Sequence, residues 1–590
     1  MPGGKIFSNF SKLKASNVAS SGLFSLRTVI MELIKLPNLR YQRLILAICT
    51  VIAFGGSLSN GYALDDENVT TPDNVRVSQG LHGIGAILTE VYDKGGFDGN
   101  DSYGYRPLPM ITFAIEKAIF GFSQQLSHLI NLLLYLGLLR VLFSCLSSLL
   151  AAYPPWIPFV TVLLFALHPL HTEVVASLKN REELLVSLFG FSALLHFIRY
   201  TEKPKKLRLL CGFLMMGLGV LCKATLAPFM LAIPILLWSF DKLSLKKAMI
   251  LGFSLTAFTA LVYFLPVRLM SIDLGRETYF FENPLAFMPA IDRLPTAVYS
   301  FLIYLKLHLF PYPLLSYYGY DQVPVLNWRS VELYPGLVLI LGLALAFYFS
   351  VKRNKLFAVG LMLLVLFVAP YLNFPIAVPG MIAERFTFNS VLGFALMLTA
   401  LMYQPPFKYS KRQVSPRLRN RLVALLVIIG VIFTGMDIKR NGEWKDFYTL
   451  MKADVQRAPD SFKLNMMYGD VTQVRINGVA DPRERIKLIE EAIAAYKQAI
   501  MIYPDHADVY NNLGVVHTLK QDFGKAIPYL LKAMEKGQDK ADTYYNLGVC
   551  YEVTQNTVSA RLYYQKALNK DPAYTPARER LQAIGPASGN

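Results

Sequence analysis

The sequence predicts an all-α protein in two parts: a polytopic membrane bundle over 44–437, then an external helical-repeat solenoid over 438–590. Three observations carry this. The 590 residues are 54% hydrophobic with positive mean hydropathy, which excludes an ordinary soluble globule. The basic residues sit in separated clusters between long apolar runs. Near the C-terminus "NNLGVV" at 511 returns as "YNLGVC" at 545, a spacing of 34 residues.

The membrane part follows from apolar length and charge sign. Apolar runs place spans near 44–64, 125–150, 157–177, 183–200, 207–222, 225–240, 248–267, 334–351, 356–373, 386–403 and 420–436, about 11 crossings. The first run begins too late and is too long for a cleaved leader, so it is read as a retained span. Basic clusters fall at Lys5–Arg43, Arg199–Arg208, Lys242–Lys247, Lys352–Lys355 and Lys408–Arg421, and hold 24 Lys/Arg. That exceeds the whole formal excess of +18, so the charge marks cytoplasmic loops and gives no reason to expect nucleic acid as a partner. Residues 1–43 are then a cytoplasmic basic arm, and a cytoplasmic start with an odd number of crossings leaves everything after 437 outside. Leu294–Phe310 is apolar, but a crossing there would invert every later cluster, and Lys306 and His308 suit lipid poorly. It is read as a re-entrant or surface helix. The five cysteines are scattered with no C-x-x-C pair, so neither a zinc site nor a disulfide framework is inferred.

The external loop 65–124 holds 9 acids and 4 bases and is too long for a plain connector. It opens with "DDENVT", closes with "DKGGFDGNDSYGYRPL", and has room for an amphipathic helix between them. The C-terminal part keeps its period elsewhere: Ala492, Ala526 and Ala560 are 34 apart, as are Ala499, Ala533 and Ala567. Small residues at that period are the tetratricopeptide signature, giving two full repeats and a third over about 462–503. Such arrays usually bind protein or peptide; a plain spacer is the blander reading.

Unusual polar residues gather at the external ends of several spans. They are Asp65 and Asp66; Arg106 before a proline; His168, His171, Glu173 and Arg181 in "HPLHTEVVASLKNREE"; Lys223 in "LCKATLAP"; and Glu384–Arg385 in "AERF". Each has an ordinary explanation. The acids suit a solvated helix end, Lys223 snorkelling and Glu384–Arg385 a local ion pair, while the histidines suit a hydrogen-bonded structural pair. His168 and His171 with Asp66 would alternatively hold a divalent ion. What the separate explanations leave out is the coincidence on one side of the membrane. A carboxylate with cations at the bilayer surface suits a reaction whose leaving group is a lipid phosphate.

The stretches "SLSNGYALDDEN", "YGYRPLPMITFAIEKAIFG", "SHLINLLLYLGLL", "ALHPLHTEVVASLKNREELL", "FPYPLLSYY", "AERFTFNSVLGFALML" and "RNGEWKDFYTLMKADVQRAPDS" occur in this order before the repeats. Together they resemble the transmembrane and tetratricopeptide repeat-containing O-mannosyltransferase family, of the C-type glycosyltransferase superfamily, over most of the chain from residue 44. The resemblance implies a C-type glycosyltransferase helical fold and a polyprenyl-phosphate sugar as donor, with no further cofactor required. It places a catalytic acid at Asp65 or Asp66, and donor-phosphate cations at Lys223 and Arg385, with Arg106 as a third. His168, His171, Glu173, Arg181 and Glu384 would bind substrate or support these. Two positions depart from the family pattern: Ala224 stands where Glu often follows the external Lys, and Arg-x-x-Tyr-x-Pro reads Arg385-x-x-Phe388-x-Ser390. With only about three repeats, these differences favour a bacterial relative and leave sugar and acceptor open.

The expectation is therefore a multi-pass membrane enzyme, in the bacterial inner membrane with repeats in the periplasm, or in the endoplasmic reticulum with repeats in the lumen. It would move a sugar, mannose by analogy, from the lipid carrier to Ser/Thr hydroxyls of translocated proteins, with membrane lipids and a protein acceptor as partners. Asp66 is preferred over Asp65 because it lies one residue farther from the apolar run and so is freer to reach a cleft. The rival readings are a non-catalytic membrane-anchored repeat scaffold for envelope assembly, and the same enzyme class acting on a glycan or lipid. A scaffold would need only one span.

Overall fold

The computed structural model describes residues 38–90, 104–272, 278–403 and 416–585. Most of the basic arm, the glycine-rich turn at 93–103 and the basic loop up to 415 lie outside them. The described residues are helical throughout, with one isolated antiparallel bridge between Tyr318 and Ile382.

The bundle consists of α1 (Leu39–Phe54), α2 (Pro107–Phe120), α3 (Gln124–Leu149), α4 (Trp156–Ala166), α5 (Arg181–Glu202), α6 (Lys206–Val220), α7 (Ala227–Ser239) and α8 (Leu245–Leu269). It continues with α9 (Ala290–Leu309), α10 (Leu333–Arg353), α11 (Lys355–Val368), α12 (Ser390–Tyr403) and α13 (Pro416–Glu443). A helix stands at every expected span. Among the described residues five are long and apolar enough to cross a membrane: α1 with its 3-10 extension to Ser59, α3, α5, α8 and α10. The expected span 157–177 is a broken pair: α4 and Pro169–Ala176 meet at 57°, with the break at His168–Pro169, where proline cannot donate to the helix ladder.

Four of the remaining helices are short, which matters to the site. α6, α7, α11 and α12 have 15, 13, 14 and 14 residues. At 1.5 Å per residue that is about 20 Å, less than the ~30 Å hydrocarbon core. Helices this short leave the rest of a span to irregular backbone, which lipid tolerates only where it is buried or lines a cavity. The 3-10 turns Ala224–Leu226, Ala369–Tyr371 and Glu384–Thr387 follow α6 and α11 and precede α12. α11 and α12 cross closely through glycine: a Cβ on Gly393 would lie 2.3 Å from the Leu364 nitrogen, and one on Gly360 2.8 Å from the Gly393 oxygen. The segment expected to be re-entrant or surface-lying forms α9, which is not among the five. Its His308 is buried in protein, with Nδ1 on the Tyr304 carbonyl at 2.7 Å and Nε2 on Ser390 Oγ at 2.9 Å.

The single amphipathic helix expected inside the first external loop is instead three short segments, Val75–Ser78, Gly80–Gly83 and Ile84–Thr89. Gly80, at φ +60°, supplies the turn between them.

After α13 come α14 (Phe447–Arg457) and the helix pairs α15/α16 (Phe462–Ile476, Pro482–Ile502), α17/α18 (Ala507–Leu519, Phe523–Glu535) and α19/α20 (Ala541–Val553, Thr557–Lys570). The closing helix is α21 (Thr575–Ala583). Glycine recurs where helices of a pair touch: a Cβ on Gly469, Gly514 or Gly548 would lie 2.5, 2.6 or 2.5 Å from Tyr496, Leu530 or Tyr564. The array is fastened to the bundle. Leu450, Met451 and Leu464 belong to the bundle's own hydrophobic core. Buried Asp454 accepts from Arg440 at 2.6 Å and from the amide and hydroxyl of Ser316 at 2.7 and 2.6 Å. Phe281, from the segment after α8, packs on Phe462 with ring centres 5.2 Å apart.

Candidate active site

The end of α1 sets the first carboxylates. Asn441 donates to the Ala53 carbonyl at 3.1 Å and Asn60 to the Asn441 carbonyl at 3.1 Å, which ties the chain after α1 to α13. Leu64 then adopts φ +52°, a left-handed conformation that costs a non-glycine residue about 1–2 kcal/mol. Both aspartates follow in the 3-10 turn Leu64–Asp66, whose successive side chains point about 120° apart. Asp66 points inward and is fully buried: Oδ1 accepts from Ser177 Oγ at 2.9 Å and the Lys179 amide at 3.0 Å, and Oδ2 from the Ala63 amide at 3.2 Å. Burial pushes its carboxyl up to about 7, against the pull of the three donors. Asp65 points outward, its side chain 43% exposed with Lys179 Nζ 3.7 Å away. The expectation that Asp66 is the freer of the two is thus reversed: distance along the chain from the apolar run does not decide which way a side chain leaves a turn.

Asp65 lines a cavity of about 390 Å³ together with Arg106, Lys179, Lys223, Arg385 and Lys463. Behind these cations stand buried carboxylates that fix their positions. Glu182, at the start of α5, receives Arg106 at 2.8 Å and Lys223 at 2.5 Å, with Lys179 at 3.9 Å. Lys223 also reaches Glu183 at 2.8 Å. Glu173 holds Arg385 twice, Oε1 accepting from the guanidinium at 2.6 Å and Oε2 from the amide at 2.8 Å. Each such charge costs several kcal/mol to bury unless paired, and here Glu173, Glu182 and Glu183 each have a cation. Burial brings Lys179 down to about 8. Tyr371 and Phe386 stack at 4.3 Å and form an aromatic patch on the same wall. A second cavity of about 680 Å³, almost wholly apolar, lies between α9, α10 and α11 and is lined by Val298, Phe301, Ala344, Phe347, Val365 and Leu372 among others. The two meet in sequence: Tyr371 lines the polar cavity and Leu372 the apolar one.

The other candidates are structural neighbours of this cavity. Arg181 is fully buried, paired with Glu116, donating to Asn131 Oδ1 at 2.7 Å and stacked over Phe113 at 3.9 Å, and so joins α2, α3 and α5. Glu384 faces away from Arg385 and accepts from the Leu315 amide at 2.5 Å and Tyr318 at 2.9 Å, so the expected local pair does not form. Burial pushes its carboxyl up to about 8. Both ring nitrogens of His168 and of His171 are engaged. His168 meets the His308 carbonyl at 3.0 Å and the Leu170 amide at 3.3 Å; His171 meets Tyr135 at 2.8 Å and the Phe388 carbonyl at 3.1 Å. With Asp66 occupied elsewhere, these three do not converge as metal ligands, and among the described residues no group of three His/Cys/Asp/Glu does.

Sequence reasoning missed Lys179, Glu182, Glu183, Glu282 and Lys463. The first three lie inside "SLKNREE", where their charge was visible but not the contact of Glu182 and Glu183 with Lys223, 41 residues beyond Glu182. Glu282 and Lys463 are 181 residues apart and share no local signal.

Residues 106–269 match a family described as dolichyl-phosphate-mannose-protein mannosyltransferase, and 489–521 match the TPR repeat. The human protein O-mannosyl-transferase TMTC1 is 24% identical over 546 residues, covering 82% of this chain and 57% of its own length. The mouse protein O-mannosyl-transferase TMTC3 is 23% identical over 524 residues, covering 81% and 53%. The chain thus spans little more than half the length of these curated relatives. Among solved structures, ArnT from Cupriavidus metallidurans bound to undecaprenyl phosphate aligns with a TM-score of 0.36 at 11% identity, covering 88% of this chain and 79% of that one.

Proposed function

Since this chain belongs to the transmembrane and tetratricopeptide repeat-containing O-mannosyltransferase family, we propose that it transfers a sugar from a polyprenyl-phosphate carrier to Ser/Thr hydroxyls of a protein. Mannose is the sugar by analogy with the relatives, and the periplasmic or lumenal face is the side the basic clusters favour. The observation that carries this reading is that consecutive residues line the two cavities, Tyr371 the polar one and Leu372 the apolar one. An isoprenoid tail needs an apolar groove and its phosphate needs cations, and here consecutive residues border both.

Asp65 is the proposed base. The acceptor oxygen forms its bond to C1 as the C1–O bond to phosphate breaks, with that electron pair leaving on the phosphate. The hydroxyl proton passes to the Asp65 carboxylate. C1 is oxocarbenium-like at the crossing point, and Arg106, Lys223 and Arg385, held from behind by Glu182, Glu183 and Glu173, stabilise the departing phosphate. Preorganisation is the point of the buried carboxylates: the cations need not reorient when the leaving group charges.

The test is transfer by the purified protein from radiolabelled polyprenyl-phosphate mannose to a Ser/Thr peptide, run beside a glycan acceptor. Label on the peptide supports the reading. Label on the glycan alone removes the protein acceptor, and neither transfer nor donor hydrolysis removes the enzyme.

A further inference from the structure

Part of the cavity wall comes from outside the bundle. Lys463 and Met467, one turn apart on α15, line it beside Asp65 and Arg385. Lys463 Nζ is 2.5 Å from Glu282 Oε1, with side chains only 21% and 12% exposed. The ammonium also lies 4.8 Å from the centre of the Tyr317 ring, whose hydroxyl donates to the carbonyls of Phe281 and Glu282 at 3.0 Å each. These contacts hold the pair in one geometry on the array side of the cavity.

The face of α15 that carries Lys463 and Met467 continues at Asp470, three residues on. Asp470 Oδ1 accepts from Tyr496 at 2.8 Å and from Asn512 of the next helix pair at 2.9 Å. Asn511 Oδ1 in turn accepts from Thr543 of the pair after that at 2.9 Å. A line of polar side chains therefore runs from the cavity wall across successive repeats; Lys463, Asp470, Asn511 and Asn512 are partly exposed, while Tyr496 and Thr543 are buried beneath them.

We propose that this line takes the acceptor as an extended peptide, and that Lys463, paired with Glu282, is the positioning residue where the peptide enters the cavity. The idea rests on the transfer reading above. A carboxylate beside an ammonium offers one acceptor and several donors at fixed spacing, the pattern that a main-chain N–H and C=O require. A folded domain has already spent those groups in its own secondary structure, so the geometry selects unfolded or loop segments. Seating the backbone against the Glu282–Lys463 pair leaves the Ser/Thr side chain to reach Asp65.

The experiment measures binding of a short fluorescein-labelled Ser/Thr peptide to the full-length protein in detergent, with steady-state transfer kinetics beside it. Lys463→Met is expected to weaken peptide affinity about tenfold, the worth of one charge-assisted contact, and to raise the peptide KM rather than lower kcat; it also takes the Lys463 ammonium away from Glu282 and so should lower the melting temperature. Lys463→Arg should recover most of the affinity. The exchanged pair Lys463→Glu/Glu282→Lys guards against a purely structural effect: it restores the ion pair but inverts its polarity, so it should melt like wild type and still bind peptide weakly. Full recovery of peptide affinity in the exchanged pair would show that the two residues only clamp the array, and would overturn the proposal. So would unchanged affinity in Lys463→Met. Because binding is read without turnover, a wild-type protein that binds peptide but transfers no sugar would fail the transfer reading alone.

Discussion

Replacing each aspartate of the Asp65–Asp66 pair by asparagine should give opposite phenotypes, and the sizes follow from the contacts. Asp66 has three donors aimed at two oxygens. Asparagine can keep Oδ1 toward Ser177 and the Lys179 amide, but its NH₂ then faces the Ala63 N–H. One charge-assisted bond is lost and two buried donors are opposed, about 2–4 kcal/mol in all. The same change removes the bond that holds the turn behind Leu64 at φ +52°. At pH 8, where a carboxyl titrating at about 7 is ionised, Asp66→Asn should therefore lower the melting temperature and the yield of folded protein. Asp65 is 43% exposed and pairs only loosely with Lys179, a contact worth less than about 1 kcal/mol after solvent screening. Asp65→Asn should melt like wild type and lose about 10²- to 10⁴-fold in transfer rate. The assay is thermal unfolding and single-turnover transfer on the same preparation. Near-normal transfer by Asp65→Asn, with a stable but inactive Asp66→Asn, would refute the assignment and return catalysis to the buried carboxylate.

Donor binding should weaken as pH rises through about 8, where Lys179 loses its proton, and Lys179→Gln should flatten that profile; calorimetric titration of polyprenyl phosphate across the range decides it. The linked effect on stability has a definite sign: the folded value lies below the ordinary 10.5, so this group adds stability present above 10.5 and lost as pH falls through about 8. Ala344→Glu puts a charge in the apolar groove and should abolish binding of long-chain polyprenyl phosphate while sparing a short-chain analogue, whereas equal loss of both would place the tail elsewhere. Gly514→Val drives a side chain into Leu530, 2.6 Å from the new Cβ, and should cost about 1–3 kcal/mol, read as protease sensitivity of the array.

What the sequence made legible was what periodicity and charge sign can encode. The 34-residue spacing gave the repeats and their glycine contacts, and apolar length gave the helix positions. The cluster of cations around "SLKNREE" was visible as composition, but its partition into wall and support was not. Arg181 and Lys179 are two residues apart, yet one is sealed under Phe113 and the other lines the cavity. Asp65 and Asp66 are adjacent in one turn, yet one lines the cavity and the other is fully buried. Neither distinction has a signature in residue type, because both are set by partners from distant segments: Ser177 donating to Asp66, and Glu116 accepting from Arg181. The Glu282–Lys463 pair needs two chain regions to meet, which no local pattern announces.

The buried carboxylates behind the cations have a consequence for the course of the reaction. Arg106, Lys179, Lys223, Arg385 and Lys463 are matched by Asp65, Glu173, Glu182, Glu183 and Glu282, so the walls of the cavity are balanced before any lipid arrives. A sugar phosphodiester brings one negative charge and the free lipid phosphate formed from it holds nearly two. If Asp65 takes the acceptor's proton, its own charge vanishes as the phosphate gains one. Sugar transfer then shifts a unit of negative charge from one wall to another while the total stays constant. Lys179, close to both Asp65 and Glu182, is the cation that can follow that shift without moving. A further unit of negative charge appears only afterwards, when Asp65 releases its proton with the doubly charged lipid still in place. Proton exit and lipid exit are thereby tied together, and turnover on this scheme would be limited by clearing the site rather than by making the glycosidic bond.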